Sequence, residues 1–169
     1  MLVTVGKSRP QPPSMREMLT DCHARIRKFC ALARRLAEGG PADQVRDAAT
    51  QVHRYFSVAL PLHIRDEDES VRPRLERLGE PSLSAALARM SAEHVEADRA
   101  LVELLAQWSA IAAAPDEARC RGTAGAAARL DEHLARHLHD EETVIFPALD
   151  RLPRAEWDAI VAEMQARRR

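Results

Sequence analysis

Arg129-Leu-Asp-Glu-His-Leu-Ala-Arg-His-Leu-His-Asp-Glu-Glu-Thr-Val-Ile-Phe-Pro147 is the most informative stretch of the chain. Its leucines, valine and isoleucine recur three and four residues apart, as they do along the buried face of an amphipathic helix. The same face carries His133, His137 and Glu141, each four residues after the last. Burying an ionisable group is costly unless the group is paired or bound to a metal. A row of three such groups therefore predicts partners at the same height on other helices.

The composition favours an all-α protein of one domain. The chain has 169 residues, enough to bury a core without disulfides. Alanine, leucine, arginine and glutamate dominate, and no alternating run rich in valine, isoleucine or threonine predicts a strand. A net charge of −1 with 30% charged residues gives no basis for nucleic-acid binding.

The sequence also predicts where the protein resides. No secretory signal is apparent, and no apolar run approaches the ~18 residues of a membrane span. Cys22, Cys30 and Cys120 form no CxxC pair and are expected to be reduced thiols that fill the core. We therefore expect a cytoplasmic protein that binds neither nucleic acid nor membrane.

Turn signals divide the chain into three parts. Residues 1–14 contain three prolines and a glycine and are predicted to be a flexible lead-in. Residues 15–150 are predicted to hold four long helices with short connections, which favour an up-down-up-down antiparallel four-helix bundle. Residues 151–169 are predicted to form a short fifth helix and a basic tail.

Local signals indicate where some of these helices begin and bend. Ser14 followed by Glu17 predicts a capping box at the start of the first helix. The third helix is expected to begin at Ser82 or Ser84. Pro61 is predicted to kink the second helix, because proline removes a backbone hydrogen-bond donor.

The other three long helices also carry ionisable residues on their apolar seams. The first and third each hold a histidine there, and the second holds a His-x-x-x-Glu pair like the one in the quoted stretch. Counting residues from each turn, at 1.5 Å per residue, brings these side chains to one height within roughly one or two helical turns. The candidate metal ligands are therefore His23, His63, Glu67, His94, His137 and Glu141.

Four imidazoles and two carboxylates inside an apolar bundle suit two first-row metal ions. Imidazole suits iron, zinc, copper and nickel, and carboxylates that can bridge favour iron or manganese. The four-residue spacing puts both side chains of each His-x-x-x-Glu pair on one helix face. Six protein ligands shared by two ions leave positions for an oxo or hydroxo bridge and for a small exogenous molecule.

Other polar residues near this layer have alternative interpretations. His133 lies one turn before His137 and is a candidate extra ligand, a partner of a ligand, or a core residue. Asp98 lies one turn after His94 and is a candidate ligand or a carboxylate that orients His94. A solvated acidic rim is expected from Asp66, Asp68, Glu69 and Glu142.

The order of the candidate ligands resembles the hemerythrin HHE cation-binding family. That family has a histidine, a His-x-x-x-Glu pair, a histidine and a second His-x-x-x-Glu pair on four successive helices. In this chain each pair is followed by a proline ten residues after its histidine, at Pro73 and Pro147. The resemblance covers about residues 15–150 and is supported by the phrases Leu60-Pro-Leu-His63 and Ile145-Phe-Pro147. It implies a non-haem diiron centre, oxo- or hydroxo-bridged, held by the six candidate ligands.

The resemblance also implies a function. Members of the family bind dioxygen, sense oxygen or iron, or handle nitric oxide and peroxide. Oxygen carriers have a second histidine one turn after the helix-three ligand; Asp98 stands there in this chain, which argues against reversible oxygen carriage. Because no separate nucleophile or acid–base pair is apparent, any catalysis would be metal-centred redox chemistry on peroxide, dioxygen or nitric oxide. The alternatives are an iron-binding, sensing or storage protein without catalysis, or a structural bundle that holds zinc.

Overall fold

The structure is a computed structural model that describes residues 14–169, and this part of the chain is helical without a β-strand. Its α-helices are α1 (Met15–Ala37), α2 (Ala42–Arg54), α3 (Leu60–Arg65), α4 (Arg72–Glu76), α5 (Pro81–Ala113), α6 (Glu117–Gly122), α7 (Ala124–Asp140), α8 (Phe146–Leu149) and α9 (Arg154–Ala166). Three π-helical turns join some of them: π1 (Tyr55–Ala59), π2 (Asp66–Val71) and π3 (Glu141–Ile145). The predicted lead-in lies outside the described residues apart from Ser14.

The long helices form an antiparallel four-helix bundle. The second long helix runs without a break over residues 42–76, and the fourth runs over residues 124–149. Helix α1 packs against α2 and α7, and α5 packs against the same two helices, so the four helices close into a square. Helix α9 packs across π2 and α1. The predicted all-α bundle with a short fifth helix is confirmed.

Over residues 14–169, no helix combines the length and apolar character needed to cross a bilayer.

Of the two predicted helix starts, the one at Ser14 is confirmed and the one at Ser82 or Ser84 is wrong. Ser14 and Glu17 form the capping box: the Glu17 N–H donates to Ser14 Oγ (3.2 Å), and the Ser14 N–H donates to Glu17 Oε2 (2.7 Å). Gly39 follows α1 with φ +80°, a left-handed conformation that glycine adopts at low cost. The predicted start of α5 at a serine is wrong, because Pro81 already occupies the first helical position, where a missing N–H costs nothing.

Each π turn leads into a proline at the second position of the next α-helical segment. These prolines are Pro61, Pro73 and Pro147. A proline lacks an N–H, and its ring crowds the carbonyl four residues earlier. The wider turn relieves this crowding, and the residue before each proline donates to the carbonyl five residues back. The helix therefore continues past Pro61 through a π turn. The same combination of a π turn and a proline follows the histidine of both His-x-x-x-Glu pairs.

Two apolar clusters fill the bundle, one on each side of a polar layer. The first is built around the stacked rings of Phe56 and Trp108, whose centroids lie 5.4 Å apart. The second includes Leu75, Leu87 and Met164 of α9. All three cysteines are buried and free, as expected for core-filling thiols. The layer between the clusters holds the polar residues that the seams of the long helices contribute.

The C-terminal arginines form a buried ion pair beside this layer. Asp66 of π2 is fully buried and accepts hydrogen bonds from Arg167 (2.8 Å) and Arg168. Arg167 also donates to Ser70 Oγ (2.7 Å). The prediction that Asp66 belongs to a solvated rim is wrong, because α9 brings two cations to it. The end of the chain is thereby fixed to the π turn that carries Glu67.

We expect the variant Arg167→Ala/Arg168→Ala to lose roughly 3 kcal/mol of unfolding free energy, because it leaves a buried carboxylate without its cations. Urea unfolding followed by circular dichroism measures this loss. Arg169→Ala is the matched control, since this exposed side chain forms no ion pair within residues 14–169. Adding Asp66→Asn to the double variant should recover much of the stability. A loss no larger than that of Arg169→Ala would contradict the ion pair.

Candidate metal centre

Two overlapping groups of four side chains occupy the polar layer, and within each group the ligand atoms lie within 4.8 Å of one another. The first group is His23, His63, Glu67 and Glu141, and the second is Glu67, His94, His137 and Glu141. All six predicted site residues are brought together, and none is more than 4% exposed. The two glutamates belong to both groups, whereas each histidine belongs to one.

Glu67 faces both groups with different oxygens. Its Oε1 lies 3.2 Å from His63 Nε2 and 3.7 Å from His23 Nε2. Its Oε2 lies 3.3 Å from His94 Nε2. The carboxylate therefore spans the two groups.

Glu141 repeats this arrangement from the opposite side of the layer. Its Oε2 lies 3.1 Å from His23 Nε2, and its Oε1 lies 3.3 Å from His137 Nε2. Each group thus receives two imidazole nitrogens and one oxygen from each carboxylate. With this division of donor atoms, each carboxylate would be able to serve two metal ions.

Seven of the eight donor atoms that face the centre of the layer lack hydrogen bonds to the described residues. Nε2 of His23, His63 and His94 and all four carboxylate oxygens are buried, and none has a hydrogen-bond partner among the described residues. Buried polar atoms in proteins are almost always satisfied, so a convergent set of unsatisfied lone pairs needs an explanation. Cations between these atoms would satisfy them at once. The residues therefore fit a centre of two metal ions.

The titration of the layer also reflects its crowded charge. Burial raises the pKa of Glu141, and the negative charge of Glu67 raises it further. Burial lowers the pKa of His23 and His94, but the carboxylates beside each of them outweigh it and raise the pKa of both to about 10. For His63 burial prevails and lowers the pKa to about 4. The negative charge of the two carboxylates therefore favours the protonated form of His23 and His94, but not of His63.

Three of the four histidines are oriented by a carboxylate on their outer nitrogen. A hydrogen bond from Nδ1–H to a carboxylate fixes the tautomer and turns the Nε2 lone pair to the metal position. The three Nδ1 contacts are His23 with Glu142 at 2.9 Å, His94 with Asp68 at 3.0 Å, and His137 with Glu93 at 2.8 Å. Each of these carboxylates is next in sequence to a residue of the metal groups. The seam pattern missed this role because it includes only residues on the apolar seams; an acidic residue beside a seam ligand is the signal that could have found it.

Of these outer carboxylates, Asp68, Glu93 and Glu142, two are themselves held in place by further hydrogen bonds. Arg27 donates two hydrogen bonds to Glu142, each 2.9 Å long. Ser91 donates to Asp68 (2.5 Å). The prediction of a solvated rim is therefore wrong for Asp68 and Glu142, which orient histidines on neighbouring helices. It is right for Glu69, which is exposed and pairs with Arg65.

Asp98 and His133 lie outside both groups. Asp98 is exposed, so its predicted role as a ligand or as the partner of His94 is wrong. The seam of α5 continues from His94 to Ala97, and Asp98 is rotated away from the core. His133 is half-buried with its Nε2 3.0 Å from the backbone oxygen of Glu93. It supports the helix that orients His137 and is not an extra member of the metal groups.

Comparison with known proteins points to one family. A family model described as Hemerythrin HHE cation binding domain matches residues 14–149, with a second, overlapping match over residues 99–167. The first match covers all four long helices and every residue of the two groups. No curated protein matches the chain.

We expect Glu142→Gln to weaken binding of Fe(II) at least roughly tenfold, because loss of a carboxylate partner disorients a metal-binding imidazole. Anaerobic titration of metal-free protein with Fe(II) measures the affinity. Glu132→Gln is the matched control, since Glu132 is exposed on the same long helix. Equal affinities of the two variants would contradict the orienting role of Glu142.

We expect metal binding at pH 8 to release about two protons, because ligands must be deprotonated to bind. His23 and His94, with pKa values of about 10, carry a proton at this pH in the metal-free protein, whereas His63 does not. The release should therefore vanish as the pH rises above 10. Calorimetric titrations in buffers of different ionisation enthalpy count the protons. Binding at pH 8 without proton release would show that both imidazoles are already neutral.

Proposed function

The chain belongs to the hemerythrin HHE cation-binding domain family, and we propose that its centre holds two iron ions and binds, senses or reacts with dioxygen, peroxide or nitric oxide. One observation carries the proposal. Glu67 and Glu141 each present one oxygen to each of two histidine pairs. Two ions fill such an arrangement, whereas a single ion would leave half of the buried donors unsatisfied.

The donor set favours iron. Each ion would receive two imidazoles and two carboxylate oxygens, a mixture of intermediate and hard ligands without thiolate. Sites with two histidines, carboxylate and open positions are typical of non-haem iron that reacts with oxygen. Four protein donors per ion also leave room for a small exogenous ligand. The same four donors would close a tetrahedral structural zinc site, so an exogenous ligand is expected only if the ions are iron.

Iron, when bound, would supply redox equivalents and open coordination positions for a diatomic molecule or peroxide. The chain's own residues have simpler tasks. Glu142, Asp68 and Glu93 fix three imidazoles in the binding tautomer. The apolar clusters on both sides exclude water from the layer. The free thiols of the chain suit a cytoplasmic location, which we propose for this protein.

Protein purified from iron-fed cells should contain about two iron ions per chain if both groups are occupied. Glu67→Ala should lower the content of both ions, since this carboxylate serves both groups. His137→Ala should mainly remove the ion of the second group. His139→Ala is the matched control, because this exposed histidine lies two residues further on the same helix. Elemental analysis, with circular dichroism to verify helicity, measures these outcomes.

Spectroscopy distinguishes the proposed ligands. Anaerobic ferrous protein is exposed separately to dioxygen, peroxide and nitric oxide, and the absorption spectrum is followed. A ligand-specific change that is lost in Glu67→Ala supports the proposal. Iron far below two per chain, or zinc in its place, would contradict it and favour a structural bundle.

A further inference from the structure

Each outer carboxylate orients the histidine of the next long helix around the bundle. The second long helix supplies Asp68 to the third, the third supplies Glu93 to the fourth, and the fourth supplies Glu142 to the first. By the same rule α1 would supply a carboxylate to His63 of the second helix. The rule fails at this one position, because the sequence neighbours of His23 are Cys22 and Ala24.

His63 therefore lacks the outer carboxylate that each of the other three histidines has. It is 2% exposed, and its Nδ1 has no hydrogen-bond partner among residues 14–169. A metal on Nε2 would leave a proton on Nδ1, and this proton needs an acceptor as the other three do. The described part of the chain offers none.

A cavity of about 430 Å³ lies beside His63, where the fourth carboxylate would be expected, and Cys22 forms part of its lining. Its volume falls in the range of small-molecule sites. Three arginines line it, namely Arg25, Arg54 and Arg168, and no aspartate or glutamate among the described residues does. The cavity therefore has a positive character.

The charge of this cavity is only partly compensated. Arg168 pairs with Asp66, but neither Arg25 nor Arg54 forms an ion pair within the described part of the chain. Residues 1–13 contain no aspartate or glutamate, so that segment has no acidic side chain to offer them. Two arginines thus remain available to an anion from solution.

The remaining wall is apolar. The rings of Phe29 and Tyr55 stack at a centroid distance of 4.0 Å and an angle of 8°, and they line the cavity together with Val58 and Leu62. Burial raises the pKa of Tyr55, so its hydroxyl stays protonated and can donate a hydrogen bond. Positive groups beside a flat apolar wall fit a molecule that has an anionic head and an apolar body.

We propose that this cavity binds a small organic carboxylate, with its head among the arginines beside His63 and its body against Phe29 and Tyr55. The carboxylate takes the place that a side chain of α1 leaves open in the ring of outer carboxylates. This site goes beyond the proposed metal chemistry and requires no reaction at the iron.

Calorimetric titration of the purified protein with benzoate tests the proposal, and benzamide and sulfate provide the comparisons. Benzoate should bind at least roughly tenfold more tightly than benzamide, because charge-assisted hydrogen bonds to arginine are lost with the charge. Equal binding of benzamide would overturn the anion site. Equal binding of sulfate would overturn the organic ligand, since the apolar wall would then contribute nothing.

Variants test the location of the site. Arg54→Ala should weaken benzoate binding roughly tenfold, whereas Arg46→Ala, an exposed arginine of the same helix outside the cavity, should not. Val58→Glu adds a negative charge at a half-exposed wall position and should abolish binding without unfolding the chain. Unchanged binding in Arg54→Ala and Val58→Glu would overturn the proposal. Metal content is measured separately, so failure of this site is distinguishable from failure of the iron centre.

Discussion

Two carboxylates lie inside an apolar bundle, and the arrangement of all four long helices depends on them. Glu67 and Glu141 are 2% and 1% exposed, and none of their oxygens accepts a hydrogen bond within the described residues. Negative charge at this depth is tolerated only beside cations. Four imidazoles converge on the two carboxylates from α1, from the second long helix, and from α5 and α7. All four long helices therefore meet at one height, and the apolar clusters are divided into one above and one below this layer.

The backbone reaches this arrangement twice by the same means. Pro73 and Pro147 each lie two residues after the end of a π turn, and each turn contains one of the two carboxylates. A π turn inserted in an α-helix rotates the next helical segment relative to the one before it, and such turns are common at functional sites. The matching prolines of the two His-x-x-x-Glu pairs are thus the sequence signature of a matching backbone. The approximate two-fold relation of the sequence becomes a pair of carboxylates, Glu67 and Glu141, that face both histidine groups from opposite sides of the layer.

Around the layer, residues next to each other in sequence serve different helices. Adjacent residues of a helix point about 100° apart, so the neighbour of a core-facing ligand reaches toward the next helix. Asp68, Glu93 and Glu142 use this geometry to orient the histidine of an adjoining helix. The ring of outer carboxylates has one gap, at His63, and the arginine-lined cavity lies there. The ring and its gap are properties of the bundle and cannot be assigned to any single helix.

The four long helices, the bundle and the six residues of the layer could be predicted from the sequence, apart from the start of α5 and the three π turns. Periodicity along a helix is local, and heights are obtained by counting residues, so neither requires coordinates. The rotation of each helix about its own axis was settled by tertiary packing, which left Asp98 exposed and turned Asp68 and Glu142 inward. Packing also settled contacts between distant segments, such as Asp66 with Arg167, 101 residues further along the chain. No local pattern specifies such a contact, because it depends on where α9 packs after the bundle has formed.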